Sequence, residues 1–85
     1  MKNLDADDAI KDEIMAKRFT STRFAKGYDV EQVDGFLDDV ATGRVNPIAV
    51  RAKSFRAVRF KEGYDCGQVD DFLDHLANEM DGIEE

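Results

Sequence analysis

Few side chains in this sequence are suited to chemistry, and their spacing limits what they can do. There is one cysteine, Cys66, one histidine, His75, and two serines, Ser21 and Ser54. A nucleophile needs a base within hydrogen-bond reach and a third group to orient that base. No such set can be assembled from these four residues, so no catalytic residue is assigned and no enzyme activity is expected. A lone cysteine excludes an intrachain disulfide, and with a single histidine it leaves no zinc quartet. Cys66 falls near the start of an expected helix, where the dipole favours a thiolate. Its counterpart in the repeat described below is Val30, which makes it a spacer, and the counterpart of His75 is Asp39 on a polar face, which makes that side chain exposed. Asp34 with Asp38, and Asp70 with Asp74, are i, i+4 pairs that a divalent cation could bridge. Asp34 is followed directly by Gly35, and no EF-hand spacing surrounds either pair, so they read as solvated helix faces. No metal and no cofactor are assigned.

The elements that must position these residues come in two copies, visible when the chain is shifted by 36 positions, Tyr28 onto Tyr64. Between Lys17–Ala41 and Lys53–Ala77, fourteen of twenty-five positions are identical, far above chance. Each copy runs from a basic, aromatic stretch (Phe19 to Phe24, Phe55 to Phe60) through a glycine (Gly27, Gly63) to an acidic amphipathic helix. The glycines are expected at positive φ, as turns before the helices. Asp29 with Gln32, and Asp65 with Gln68, have capping-box spacing. Behind the caps, Val33, Phe36, Leu37 and Val40 repeat as Val69, Phe72, Leu73 and Leu76, the i, i+3, i+4, i+7 stripe of a buried helical face. Tyr28 and Tyr64 precede the caps, where a ring can staple onto the helix at Val33 or Val69. The alternative is that both tyrosines anchor a partner.

At 85 residues the chain has room for one domain. The expected fold is mostly α: two tandem helix-loop-helix repeats, 7–42 and 46–83, packed as a pseudo-symmetric pair. The extended stretches in each repeat are able to pair as short strands. The first capped helix should stop near Thr42 with Gly43 after it, and the second should carry its stripe through Met80 to Ile83. Shorter helices precede the motifs, one over 7–17 with Ile10 and Ile14, the other opened by Asn46 as cap and Pro47 at its first position. A chain of this size buries only about 60–65% of its unfolded surface, so homo-oligomerisation is expected to supplement the core.

Charge is sorted into blocks. The net charge is −7, yet the windows Lys17–Lys26 and Arg51–Lys61 contain no acidic residue and hold nine of the twelve cations. An acidic chain is a poor match for nucleic acid, and none is expected as a partner. Two readings of the basic windows stay open. Arg23, Phe24 and Lys26, with Arg59, Phe60 and Lys61, could contact an anionic membrane surface or a protein partner. Alternatively the cations pair with the acidic helices and the phenylalanines enter the core. No run approaches the roughly 18–20 apolar residues of a membrane span, and the N-terminus around Asp5, Asp7 and Asp8 is unlike a signal peptide, so a cytoplasmic location is expected.

The repeated phrase Phe-x-x-x-Arg-Phe-x-x-Gly-Tyr-Asp-x-x-Gln-Val-Asp-x-Phe-Leu-Asp resembles the N-terminal module of the DivIVA family, bacterial scaffolds of cell division and polar growth. The likeness covers 17–41 and 53–77, with Ile14 and Val50 at the apolar position upstream, and tandem copies look more like DivIVA-domain repeat proteins than like the long scaffold. It implies a short helix, a crossing loop and a capped helix, coiled-coil self-association through that helix, and peripheral attachment at curved membrane, at septum or pole. The family's loop tip carries phenylalanine and arginine just before the glycine. Here Ala25-Lys26 and Lys61-Glu62 stand there, with Phe24 and Phe60 displaced. The sequence therefore points to a non-enzymatic interaction module acting through protein contacts and an anionic membrane. A soluble acidic adaptor that binds another protein without lipid is the alternative.

Overall fold

Two apolar stripes on two capped helices need something to lie on, and the structure, a computed structural model, supplies it from both halves of the chain at once. It describes the backbone of residues 4–84 and the side chains of residues 10–81. The elements in chain order are α1 (Leu4–Ala16), β1 (Ser21–Thr22), β2 (Gly27–Asp29), α2 (Val30–Ala41), α3 (Pro47–Ala52), β3 (Ala57–Val58), β4 (Gly63–Tyr64) and α4 (Cys66–Glu84).

The strands form one four-stranded sheet in the order β1-β4-β2-β3, with every neighbouring pair antiparallel. Two strands of the same half are never neighbours. β4 lies between β1 and β2, and β2 lies between β3 and β4. The central pair sets Tyr28 opposite Tyr64 and Asp29 opposite Gly63. The outer pairs set Ser21 opposite Tyr64 and Tyr28 opposite Ala57.

This topology overturns the mostly α expectation. Among the described residues, four helices combine with a four-stranded antiparallel sheet, and neither a helix-loop-helix repeat nor a coiled coil describes the arrangement. The stretches Phe19–Phe24 and Phe55–Phe60 supply only the edge strands. The inner strands are the glycine segments themselves, which the sequence suggested were turns. Strands of two or three residues carry no alternation to read, and their partners lie in the other half of the chain.

The reason for the two glycines changes accordingly. Among the described residues positive φ occurs at Gly43 (78°) and Phe60 (62°), not at Gly27 or Gly63. Both strand glycines are buried where backbones come close. A Cβ on Gly27 would overlap Thr22 Oγ1 and lie 3.0 Å from the Tyr64 carbonyl oxygen. One on Gly63 would lie 2.9 Å from Val58 Cγ2 and 3.0 Å from the Tyr28 carbonyl oxygen.

Helix ends follow local rules. Past α2, the Gly43 N–H donates to the Val40 carbonyl (3.1 Å) and the Arg44 N–H to the Asp39 carbonyl (2.9 Å), a Schellman closure around the positive φ of Gly43. Asn46 accepts from the Ala49 N–H at 2.8 Å and Pro47 opens α3. Val33, Phe36, Leu37 and Val40 of α2 and Val69, Phe72, Leu73 and Leu76 of α4 are buried together with Ile10 of α1, Val50 of α3 and Ala77. Met80 is half-buried against this core. Ile83, Asp5, Asp7 and Asp8 lie outside the described side chains. Among the described residues no helix is long and apolar enough to cross a membrane.

The same substitution should have opposite signs at different glycines. Gly27→Ala and Gly63→Ala should each destabilise the protein by about 1–3 kcal/mol, because a methyl must be forced between backbones. Gly35, on the open face of α2 with nothing within 4 Å of an added Cβ, should gain up to about 1 kcal/mol as alanine. Urea unfolding of the three variants checks both signs.

Candidate functional site

The two halves hold each other through pairs of matching bonds. Asp29 caps α2, its Oδ1 accepting from the Glu31 N–H (2.9 Å) and the Gln32 N–H (3.2 Å), and Asp65 Oδ1 accepts from the Gln68 N–H (3.2 Å). The glutamines do not close capping boxes. Gln32 Oε1 accepts from the Arg56 N–H at 2.7 Å, while the Asp29 N–H donates to the Arg56 carbonyl at 2.9 Å. In the other half Gln68 Oε1 accepts from the Thr20 N–H at 2.7 Å, and the Asp65 N–H donates to the Thr20 carbonyl at 2.9 Å. Thr20 and Arg56 are equivalent positions, 36 apart. Each glutamine therefore ties the residue before an edge strand of the opposite half, a role its reach allows and that the capping-box spacing disguises.

The tyrosines act the same way. Tyr28 donates its hydroxyl proton to Asp70 Oδ1 at 2.9 Å, and Tyr64 donates to Asp34 Oδ1 at 2.8 Å. The Tyr28 ring packs on Phe55 (centroids 5.3 Å apart), and Phe55 meets Phe36 edge-on; Tyr64, Phe19 and Phe72 repeat the arrangement, with Tyr64 and Phe19 5.1 Å apart. Asp70 and Phe55 lie in the half opposite Tyr28, and Asp34 and Phe19 in the half opposite Tyr64, so the rings lock the halves together. Burial, then the carboxylate partner, pushes each phenol up to about 12. Asp34 and Asp70 are thereby engaged, while Asp38 and Asp74 stay exposed.

These contacts also sort the cations. Lys17 Nζ sits 5.6 Å from the centroid of Phe19 and 5.4 Å from that of Phe72, and Lys53 Nζ lies 5.3 Å from Phe36 and 5.5 Å from Phe55. Arg51 pairs with Asp81 at 2.7 Å. Arg23, Lys26, Arg59 and Lys61 are exposed and make no ion pair among the described residues. Between them Phe24 and Phe60 are 77% and 76% exposed, although both are large apolar rings. Phe60 also holds the left-handed φ that a bulky residue seldom adopts.

The placement of these residues follows from the topology. β1 and β2 run parallel with β4 between them, so residues 23–26 must cross β4, and residues 59–62 must likewise cross β2. The twofold relating Tyr28 to Tyr64 stands perpendicular to the sheet, so both crossings lie on one face. The sheet thus presents two phenylalanines and four cations together. Ser21 Oγ, donating to Glu62 Oε2 at 2.9 Å, ties back the anion of the second crossing.

The remaining candidates fall elsewhere. Cys66 opens α4 half-buried, and burial pushes its thiol up despite nearby Lys26, which leaves it poorly suited as a nucleophile. His75 is exposed, as its alignment with Asp39 suggested, but it reaches Glu13 and Glu79, which sequence reading missed. The cross-half bonds of Tyr28, Tyr64, Gln32 and Gln68 were missed too. Their signal was present, since each type is identical in both copies at positions off the apolar stripe. Neither a family model nor a curated protein nor a solved structure matches this chain.

The tyrosine–aspartate bonds should give stability an alkaline dependence of defined sign. A phenol pushed up on folding contributes stability that is complete below its unfolded value of 10 and is lost as pH rises through the folded value of about 12. Tyr28→Phe with Tyr64→Phe should lose about 1 kcal/mol per hydroxyl at neutral pH, the low end because the aspartates are exposed. It should also lose much of the alkaline decline between pH 10 and about 12 seen in wild type. Denaturant unfolding across pH, alongside tyrosinate absorbance, checks both.

Proposed function

We propose that this chain is a non-enzymatic interaction module of the DivIVA-domain type, serving bacterial cell division or polar growth, with the two sheet crossings as its contact surface. The observation carrying this reading is the pair of exposed phenylalanines, Phe24 and Phe60, set among Arg23, Lys26, Arg59 and Lys61 on one face. A ring exposed at one position is ordinary, but the same ring exposed at both equivalent positions, each among free cations, fits a shared purpose. The phrase shared with DivIVA modules lends it direction.

The surface suits an anionic membrane. Each cation close to anionic lipid contributes about 1 kcal/mol, and each phenylalanine that leaves water adds about 1.5–3 kcal/mol. One module attaches weakly and reversibly, and several copies held together attach firmly. Septum or pole is the expected location, reached from the cytoplasm. The second reading, a soluble adaptor gripping an acidic protein, uses the same four cations with less need of the rings.

Flotation with liposomes separates the two. Wild type should float with anionic vesicles at low salt and remain below with neutral ones, and Phe24→Ala with Phe60→Ala should float markedly less while melting as wild type does. If neither protein floats with anionic vesicles, the membrane reading is excluded and the adaptor stands.

A further inference from the structure

One cluster breaks the correspondence between the halves. Glu13 projects from α1, and His75 and Glu79 lie i, i+4 on α4, where they share a helix face. His75 Nε2 is 2.9 Å from Glu13 Oε1 and 3.5 Å from Glu79 Oε2. One ligating atom from each of the three residues lies within 4.8 Å of the others. The equivalent positions 36 residues away are Ala49, Asp39 and Gly43, which could not build the same set. The duplication therefore does not account for it.

The spacing and chemistry resemble those of a coordination shell. A tetrahedral ion with bonds of about 2.0–2.1 Å holds its donors roughly 3.3 Å apart, and the two separations from Nε2 bracket that distance. A single ring nitrogen faces both carboxylates, and Phe72 lies beside the imidazole with its ring inclined by 27° and the centroids 6.3 Å apart. The cluster is also short of positive charge. Among the described residues no lysine or arginine pairs with either glutamate. Glu79 Oε1 is buried with no hydrogen-bond partner, a second oxygen for which a cation would supply what the protein does not.

We propose that Glu13, His75 and Glu79 bind a divalent transition cation of the zinc class, with water completing a four-coordinate shell. One nitrogen and two carboxylate oxygens suit such an ion, whereas magnesium prefers an all-oxygen shell. The bound ion would join α1 to α4, adding a metal link to the packing of Ile10 and Ile14. The site stands apart from the crossing loops and does not depend on their role.

Calorimetric titration of the untagged full chain with zinc chloride tests this, with magnesium chloride as the comparison. Wild type and Cys66→Ser should bind one zinc per chain and melt higher with zinc present, and magnesium should do neither. His75→Asn and Glu79→Gln should each weaken zinc binding by roughly tenfold or more while keeping wild-type circular dichroism. The His75 ring resonances should shift on adding one equivalent. Equal zinc binding by wild type and His75→Asn, loss of binding in Cys66→Ser, or no binding by wild type at micromolar zinc would each overturn the proposal.

Discussion

The short antiparallel pairing of β2 with β4 is the constraint from which the rest of the molecule follows. Two segments from different halves meet there with Tyr28 against Tyr64, and the approach is close enough that glycine is required beside each tyrosine. Once they meet, the edge strands can pair only with strands of the opposite half. The helices that follow each inner strand then start from one place, held by Asp29 and Asp65, so that Val33 and Val69 are both fully buried. A sheet of so few residues has little hydrogen bonding of its own. It persists because glutamine and tyrosine side chains add bonds across the same seam.

How much of this could be read from the sequence depended on whether the cause was local. The apolar stripes of α2 and α4 were legible because period 3.6 is written along a single helix, and all eight residues assigned to them are buried. The aspartate caps, Asn46 with Pro47, and Gly43 after Thr42 were legible because each works within a few residues. The sheet was not, since β4 lies about 40 residues from the β1 strand it pairs with and neither has a pattern longer than two side chains. Glycine before a helix usually suggests a turn, and at Gly27 and Gly63 that association misleads, because a side chain is forbidden by the edge-strand residue five positions upstream together with the backbone of the inner strand from the other half. Gln32 and Gln68 mislead for the same reason, sitting at box spacing but bonding across the seam. Phe24 and Phe60 were singled out with their cations from composition alone. That both are exposed, and on one face, required the strand order.

The duplicated segments also divide the basic windows into two populations. Lys17 and Lys53 lie over aromatic rings, so they contribute to holding the halves together, and Arg51 is taken by Asp81. The cations nearest the crossings are left to solvent. A chain with a net charge of −7 thereby keeps four exposed cations on its crossing loops, because most of its acidic residues are carried on the helices and Glu62, the one acidic residue of the crossings, is tied to Ser21. Net charge describes this protein poorly, and the separation of charge between sheet and helices describes it better.

The connection between the halves, only Thr42 to Asn46 between α2 and α3, has a consequence for how the fold tolerates dilution and change. Two separate chains exchanging strands would come apart as their concentration fell, whereas a tether this short holds the second half at an effective concentration of about millimolar or above. Assembly of the seam is therefore insensitive to how much protein the cell contains. Tethering also removes the demand that the halves be identical. A self-pairing chain must repeat every change on both sides of its axis, but here one side can alter alone. The long α4, with His75 and Glu79 where the other half has Asp39 and Gly43, shows that it has. The axis survives at Tyr28 and Tyr64, and away from it the two copies are free to become different surfaces.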